Sequence, residues 1–127
     1  MRAALAAWNA RDPRAFLSRL AEDVVLDELF QPGPFAGAGR VKDWIEAWTA
    51  AVPDSRTEIV RVLAAGDDVL VEAVVKGTLA GHLGPVEGTN GPFTLHRGLV
   101  VEVARGKLRR ITAFTNGREL SPPASQP

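Results

Sequence analysis

The chain contains no cysteine and no tyrosine among its 127 residues. The first absence excludes disulfides, thiolate nucleophiles and cysteine-built metal sites. The second excludes any mechanism that needs a phenol. Histidine occurs only at His82 and His96, too far apart in sequence for a metal-ligand spacing, so no metal is expected. Neither sign of charge is in excess: 15 Lys and Arg against 15 Asp and Glu give a formal net charge of +0. No nucleic-acid partner is expected without a basic surplus. No apolar run approaches the ~20 residues of a membrane span. MRAALAAWNARD lacks the long apolar core and cleavage site of a secretory leader. The expectation is a cytoplasmic protein without membrane contact.

What is present suits one soluble domain: 46% hydrophobic and 24% charged residues, on a length that permits a real core. The domain is expected to span residues 1–120, followed by a polar, Pro-rich disordered tail at 121–127, SPPASQP. Arg2 to Ala10 is built of helix formers. Asp12 and Pro13 read as an N-cap and first helical residue, opening a second helix to Leu20. Val24 to Phe30 is a β-prone run with Asp27 and Glu28 near its end. Gln31 to Gly39 reads as a loop. In the third helix, Val41 to Ala51, the residues Val41, Trp44, Ile45 and Trp48 follow the spacing of a core-facing stripe. From Arg56 the pattern is of strands: Thr57 to Ala64, a turn at Ala65 to Asp68, and Val69 to Leu79. A long Gly- and Pro-rich loop follows, from Gly81 to Pro92.

The last stretch, Leu95 to Leu120, reads as a hairpin. Leu99, Val101 and Val103 alternate with Gly98, Val100 and Glu102, the period at which successive side chains point to opposite faces. Ala104 to Lys107 is the turn, with Gly106 free to take a positive φ. On the return strand Thr112, Phe114 and Asn116 share one face, and Ile111, Ala113 and Thr115 the other. Apolar residues and the Asn116 amide thus lie on a surface that something must cover. Helices first and strands after them make the fold α+β: a curved antiparallel sheet wrapped by the three helices into a cone. Its open end is a natural pocket.

Six segments in this order resemble the SnoaL-like polyketide cyclases of the nuclear transport factor 2-like superfamily. They are AAWNARDPRAF, LAEDVVLDE, GRVKDWIEAW, VVKGTLAGHLGPVEGTNGPF, GLVVEVARGKL and AFTNGREL. The superfamily also holds ketosteroid isomerase, scytalone dehydratase and limonene-epoxide hydrolase. The resemblance implies the cone fold, pairing of two copies through the sheet, and a role as general base for Glu28. It also locates losses. The oxyanion-stabilising Tyr and Asp of the isomerases fall at Ala4 and Leu99. The terminal Asp of the cyclases is Asn116. The Arg and Asp of the epoxide hydrolases become Val74 and Lys76. Steroid isomerisation, which needs the oxyanion pair, is therefore rejected.

Three readings follow. The first is a cofactor-independent cyclase or isomerase acting on a hydrophobic, oxygenated, polyketide-like molecule. Glu28 would move a proton and Asn116 would orient an oxygen. Around them the expected ligand-binding residues are Trp8, Phe16, Phe30, Phe35, Trp44, Trp48, His96, Arg97, Leu99 and Phe114. The second is a non-catalytic ligand-binding or dimerisation module. The third is an epoxide-opening enzyme. Glu28 is either a cavity acid or a solvated strand end, and Asn116 either a ligand-facing amide or a turn former. For His82, His96, Arg97 and Lys76 both a ligand-facing role and an ordinary surface role stand open. The open face of the sheet, expected to carry Val100, Ile111 and Ala113, is the expected dimer interface.

Overall fold

The computed structural model describes residues 2–9, 12–83 and 86–119. The tail at 121–127 lies outside the described residues. The elements in chain order are α1 (Arg2–Asn9), α2 (Pro13–Leu17), β1 (Leu20–Glu28), β2 (Phe35–Ala36), α3 (Ala38–Ala51), β3 (Arg56–Ala65), β4 (Asp68–Thr78), β5 (Pro92–Ala104) and β6 (Lys107–Thr115). A 3₁₀ turn at Gly117–Glu119 follows.

The Asp12 side chain accepts from the Ala15 amide at 3.1 Å, with Pro13 as the first helical residue. This helix stops at Leu17, earlier than its composition predicts. Leu20 is instead the first residue of β1 and is buried against the core, paired with Leu108. Tertiary burial overrides weak helical preference here. The loop after β1 contains β2, whose Phe35 pairs with Leu26.

The strand order is β2-β1-β6-β5-β4-β3. Four of these contacts are antiparallel, while β1 runs parallel to β6. The α+β cone is thus present, but its sheet is mixed. A tight turn cannot join a parallel pair, and here α3 and four strands lie between its members. One row across the sheet is Glu28, Ala113, Leu99 and Val71, and the neighbouring row is Asp27, Thr112, Val100 and Leu70. The first row faces the helices. The second faces out.

The final hairpin carries a bulge that alternation alone does not reveal. Ala104 pairs with Lys107 and Val103 with Leu108, but Glu102 pairs with Arg110, leaving Arg109 extra. One added residue moves every later side chain of a strand to the opposite face relative to its partner. Ile111, Ala113 and Thr115 therefore join Leu99 and Arg97 on the inner face. The expected interface residues Ile111 and Ala113 are core residues, with Ala113 fully buried. The outer face carries Leu63, Leu70, Val100 and Phe114 instead.

Two apolar clusters fill the cone. One joins Ala4, Val24, Leu26, Val41, Ile45, Val101 and Ile111, and the other joins Trp48, Val75, Leu79, Leu83, Phe93 and Leu95. Trp8 and Trp44 pack against both. The Gly-rich loop after β4 supplies Leu79 and Leu83 to the second cluster. It is pinned by Gln31, whose Nε2 donates to the Leu83 carbonyl at 3.0 Å. Gly88 belongs there because a Cβ would lie 2.8 Å from the Gly81 carbonyl group.

Candidate active site

The inner face of the sheet and α3 enclose a cavity of about 80 Å³. That is several times the roughly 10–15 Å³ that a single water needs, so the cavity has room for a small molecule. Leu26, Leu99, Val101 and Ile111 form its sheet wall; Val41, Trp44, Ile45 and Trp48 come from α3, and Trp8 from α1. The helical spacing of the α3 residues is what turns them inward. Trp8, Ile45, Trp48 and Thr57 also line an outer groove. Trp8 Nε1 donates to Thr57 Oγ1 at 2.9 Å.

One carboxylate stands in this apolar wall. Glu28 ends β1 on the inner row and is only 1% exposed. Arg97, on the next inner row of β5, donates through an Nη to Glu28 Oε2 at 2.5 Å. Its Nε donates to Thr115 Oγ1 at 3.2 Å. Glu28 is shut off from water and Arg97 is largely so, with side-chain exposures of 1% and 15%. Glu28 Oε1 is buried without a hydrogen bond of acceptable geometry, and so is Trp48 Nε1. Burial pushes the Glu28 carboxyl above its ordinary 4.5; the Arg97 charge, the Thr115 hydroxyl and the Arg97 hydrogen bond pull the other way, and burial prevails. The result is a carboxyl whose proton affinity is raised towards neutrality while a cation stays beside it, which is what a proton-transfer group needs.

Of the residues expected at the site, the structure gathers Glu28, Trp8, Phe16, Phe30, Trp44, Trp48, Arg97 and Leu99 around the cavity. Phe35 is set back, stacked on Trp44 with ring centres 5.3 Å apart. Three expected residues lie elsewhere. Phe114 is 53% exposed, turned outward by the bulge at Arg109. Asn116 is exposed, and its Oδ1 accepts from the Arg118 amide at 3.2 Å, so it is a turn former. His96 is exposed on the outer face, with Nδ1 2.7 Å from Glu119 Oε2. The His96 amide and ring hold the Glu119 carboxyl below its usual value. His82 and Lys76 are exposed as well.

Two polar residues of the site went unpredicted. Thr115 was assigned its strand face correctly, but only the bulge shows that this face is the inner one. Thr57 is the second residue of β3, whose alternation is weak, and nothing in its neighbours marks it. Among the described residues there is no group of three His, Asp or Glu placed to hold a metal. No helix among them is long and apolar enough to cross a membrane.

A curved mixed sheet of six strands with three helices is the fold of the nuclear transport factor 2-like proteins. Within that class the chain belongs to the SnoaL-like domain family, whose profile matches residues 1–111. It is similar in structure to a candidate polyketide cyclase from Pseudomonas putida KT2440, with 27% identity, TM-score 0.76, and coverage of 93% of this chain and 90% of that one. A protein with a ketosteroid isomerase-like fold from Catenulispora acidiphila DSM 44928, solved with trimethylamine, shares 19% identity at TM-score 0.78, covering 94% and 86%. An LEH-like epoxide hydrolase from Mycobacterium tuberculosis shares 18% at TM-score 0.72, covering 94% and 81%. The last two show the fold alone. A comparison of the sequence with curated proteins returns no match.

Proposed function

We propose that this chain is a cofactor-independent enzyme that moves a proton on a small, mainly apolar, oxygenated molecule held in the cone. The observation that carries this reading is Glu28: a carboxyl 1% exposed, in an apolar cavity, with raised proton affinity and one arginine partner. As carboxylate it takes a proton from the carbon next to a carbonyl. As carboxylic acid it returns that proton to another atom of the resulting enolate, giving an isomer, or to the oxygen formed when the enolate carbon attacks a second carbonyl, giving a ring. Arg97 keeps the carboxylate accessible in a wall that would otherwise hold it neutral. Similarity to the Pseudomonas candidate cyclase supports a polyketide-like substrate, and the cavity favours the small end of that class.

An NMR titration of the Glu28 side-chain carboxyl is expected to give a midpoint above 4.5, in the direction burial sets. A midpoint at or below that value removes it as an acid near neutrality.

A non-catalytic binding module is the second reading, favoured by one observation. With Asn116 outside the cavity, Glu28 is the only carboxylate among the described residues that line it. The same observation weakens epoxide opening, which needs one group to protonate the leaving oxygen and another to activate water.

We also propose a homodimer through the outer face of the sheet. Leu63, Leu70 and Phe114 are 52%, 41% and 53% exposed there, a concentration of apolar surface that monomers seldom leave open. Light scattering at micromolar concentration is expected to report twice the chain mass, and Leu70→Glu to reduce it to the monomer. A monomeric wild type would exclude this interface.

A further inference from the structure

The cavity wall holds two buried polar atoms that lack partners, and they are opposite in kind. Glu28 Oε1 is an acceptor, or a donor once protonated; Trp48 Nε1 is a donor only. Both residues line the same cavity. Buried indole N–H groups as a rule find an acceptor. Trp48 is fixed on α3 by burial in the second apolar cluster and by an edge contact with Phe93, ring centres 6.3 Å apart at 70°. Its N–H is therefore held in place without a partner among the described residues. The geometry points to Trp48 Nε1 as the donor that holds an oxygen of the ligand while Glu28 meets the ligand's mobile hydrogen.

This assigns the ligand a chemistry. It is a small, mainly apolar molecule with a carbonyl oxygen for Trp48 and, a bond or two away, a hydroxyl or acidic C–H for Glu28. A hydrocarbon of the same shape would leave both polar atoms unsatisfied. The role also supplies what the sequence lost. Ala4 and Leu99 provide no donor for a developing enolate oxygen, whereas an indole N–H does so from another element of the cone. Trp48 is in this sense a binding and positioning residue. The assignment rests on the cavity being a ligand site.

The test uses the three indole protons of the full chain, assigned with Trp8→Phe, Trp44→Phe and Trp48→Phe. Wild type is titrated with 2-hydroxycyclohexanone, cyclohexanone and cyclohexane. The two ketones are expected to move the Trp48 indole proton downfield by about half a ppm or more, as a new hydrogen bond does, and cyclohexane is not. In Trp48→Phe the affinity for the ketones is expected to fall about tenfold, with cyclohexane unaffected. Ketone affinity unchanged in that variant overturns the role of Trp48 and leaves the ligand site standing. So does an indole proton shifted upfield and insensitive to ketone, the mark of an N–H turned onto the Phe93 ring. Failure of all three molecules to bind wild type overturns the ligand site and the assignment together. The wild-type spectrum decides by itself if the variant does not fold.

Discussion

Glu28→Gln is expected to lower kcat by about 10²–10⁴-fold, the usual contribution of a positioned acid or base, and to leave KM within a small factor. The substitution keeps the side-chain shape and an oxygen for Arg97, so the 2.5 Å contact to the guanidinium has a replacement. It removes the proton. A loss confined to kcat means an interaction made in the transition state, whereas a loss in KM alone means substrate binding. The pH profile gives a second readout. A general base works when ionised, so wild-type activity should rise with pH through a midpoint above 4.5, because burial lifts this carboxyl. In Glu28→Gln that limb should vanish. Equal kcat in the two proteins would eliminate the proton-transfer role and leave the binding module as the surviving reading.

Arg97→Met carries the other large effect. It retains the length of the side chain but strips Glu28 of the cation that opposes burial most strongly. The Glu28 carboxyl then rises further. A group whose folded-state affinity for protons is raised supports folding fully below its unfolded value and loses that support as pH climbs through its folded value. Below about 4.5 the carboxyl is neutral in both proteins, so their stabilities should differ only by packing around the 97 side chain. Above that value the variant should fall progressively behind, approaching the ~3–5 kcal/mol that breaking a buried pair costs. Urea unfolding at pH 4 and pH 8 checks this, since both carboxyl states are sampled. The same deficit at both pH values would mean that Arg97 acts by packing and that its charge is immaterial.

The helical half of the site was legible because its signal is periodic. Val41, Trp44, Ile45 and Trp48 repeat at helical spacing, and all four line the cavity. The inward position of Glu28 was legible from its place at the end of an apolar strand, and the family resemblance added the expectation of a general base. The far side of the cavity was misread for one local reason. Alternation assigns faces within a strand, and Thr112, Phe114 and Asn116 do share one, but it cannot say which face of β6 meets which face of β5. That is decided by the turn and by the extra Arg109, which no neighbouring residue announces. The misassignment of Phe114 and Asn116 and of the interface residues Ile111 and Ala113 comes from that one residue. The parallel pairing of β1 was illegible for a different reason: it joins segments more than eighty positions apart, beyond the reach of any local pattern.

That pairing has a kinetic consequence. β1 has two neighbours in the sheet, the two-residue β2 and the last strand, β6. Until β6 arrives, the longer edge of β1 has no strand to pair with. The hairpins β3–β4, β4–β5 and β5–β6 are made of near neighbours and close cheaply, whereas docking β1 must close the longest loop in the domain. Docking β1 also brings Glu28 to Arg97, 69 residues away. The Glu28–Arg97 pair and the closing of the sheet are then one event, placed late in folding. A chain halted before it would be rich in β-structure, have an open sheet edge, and lack the site altogether.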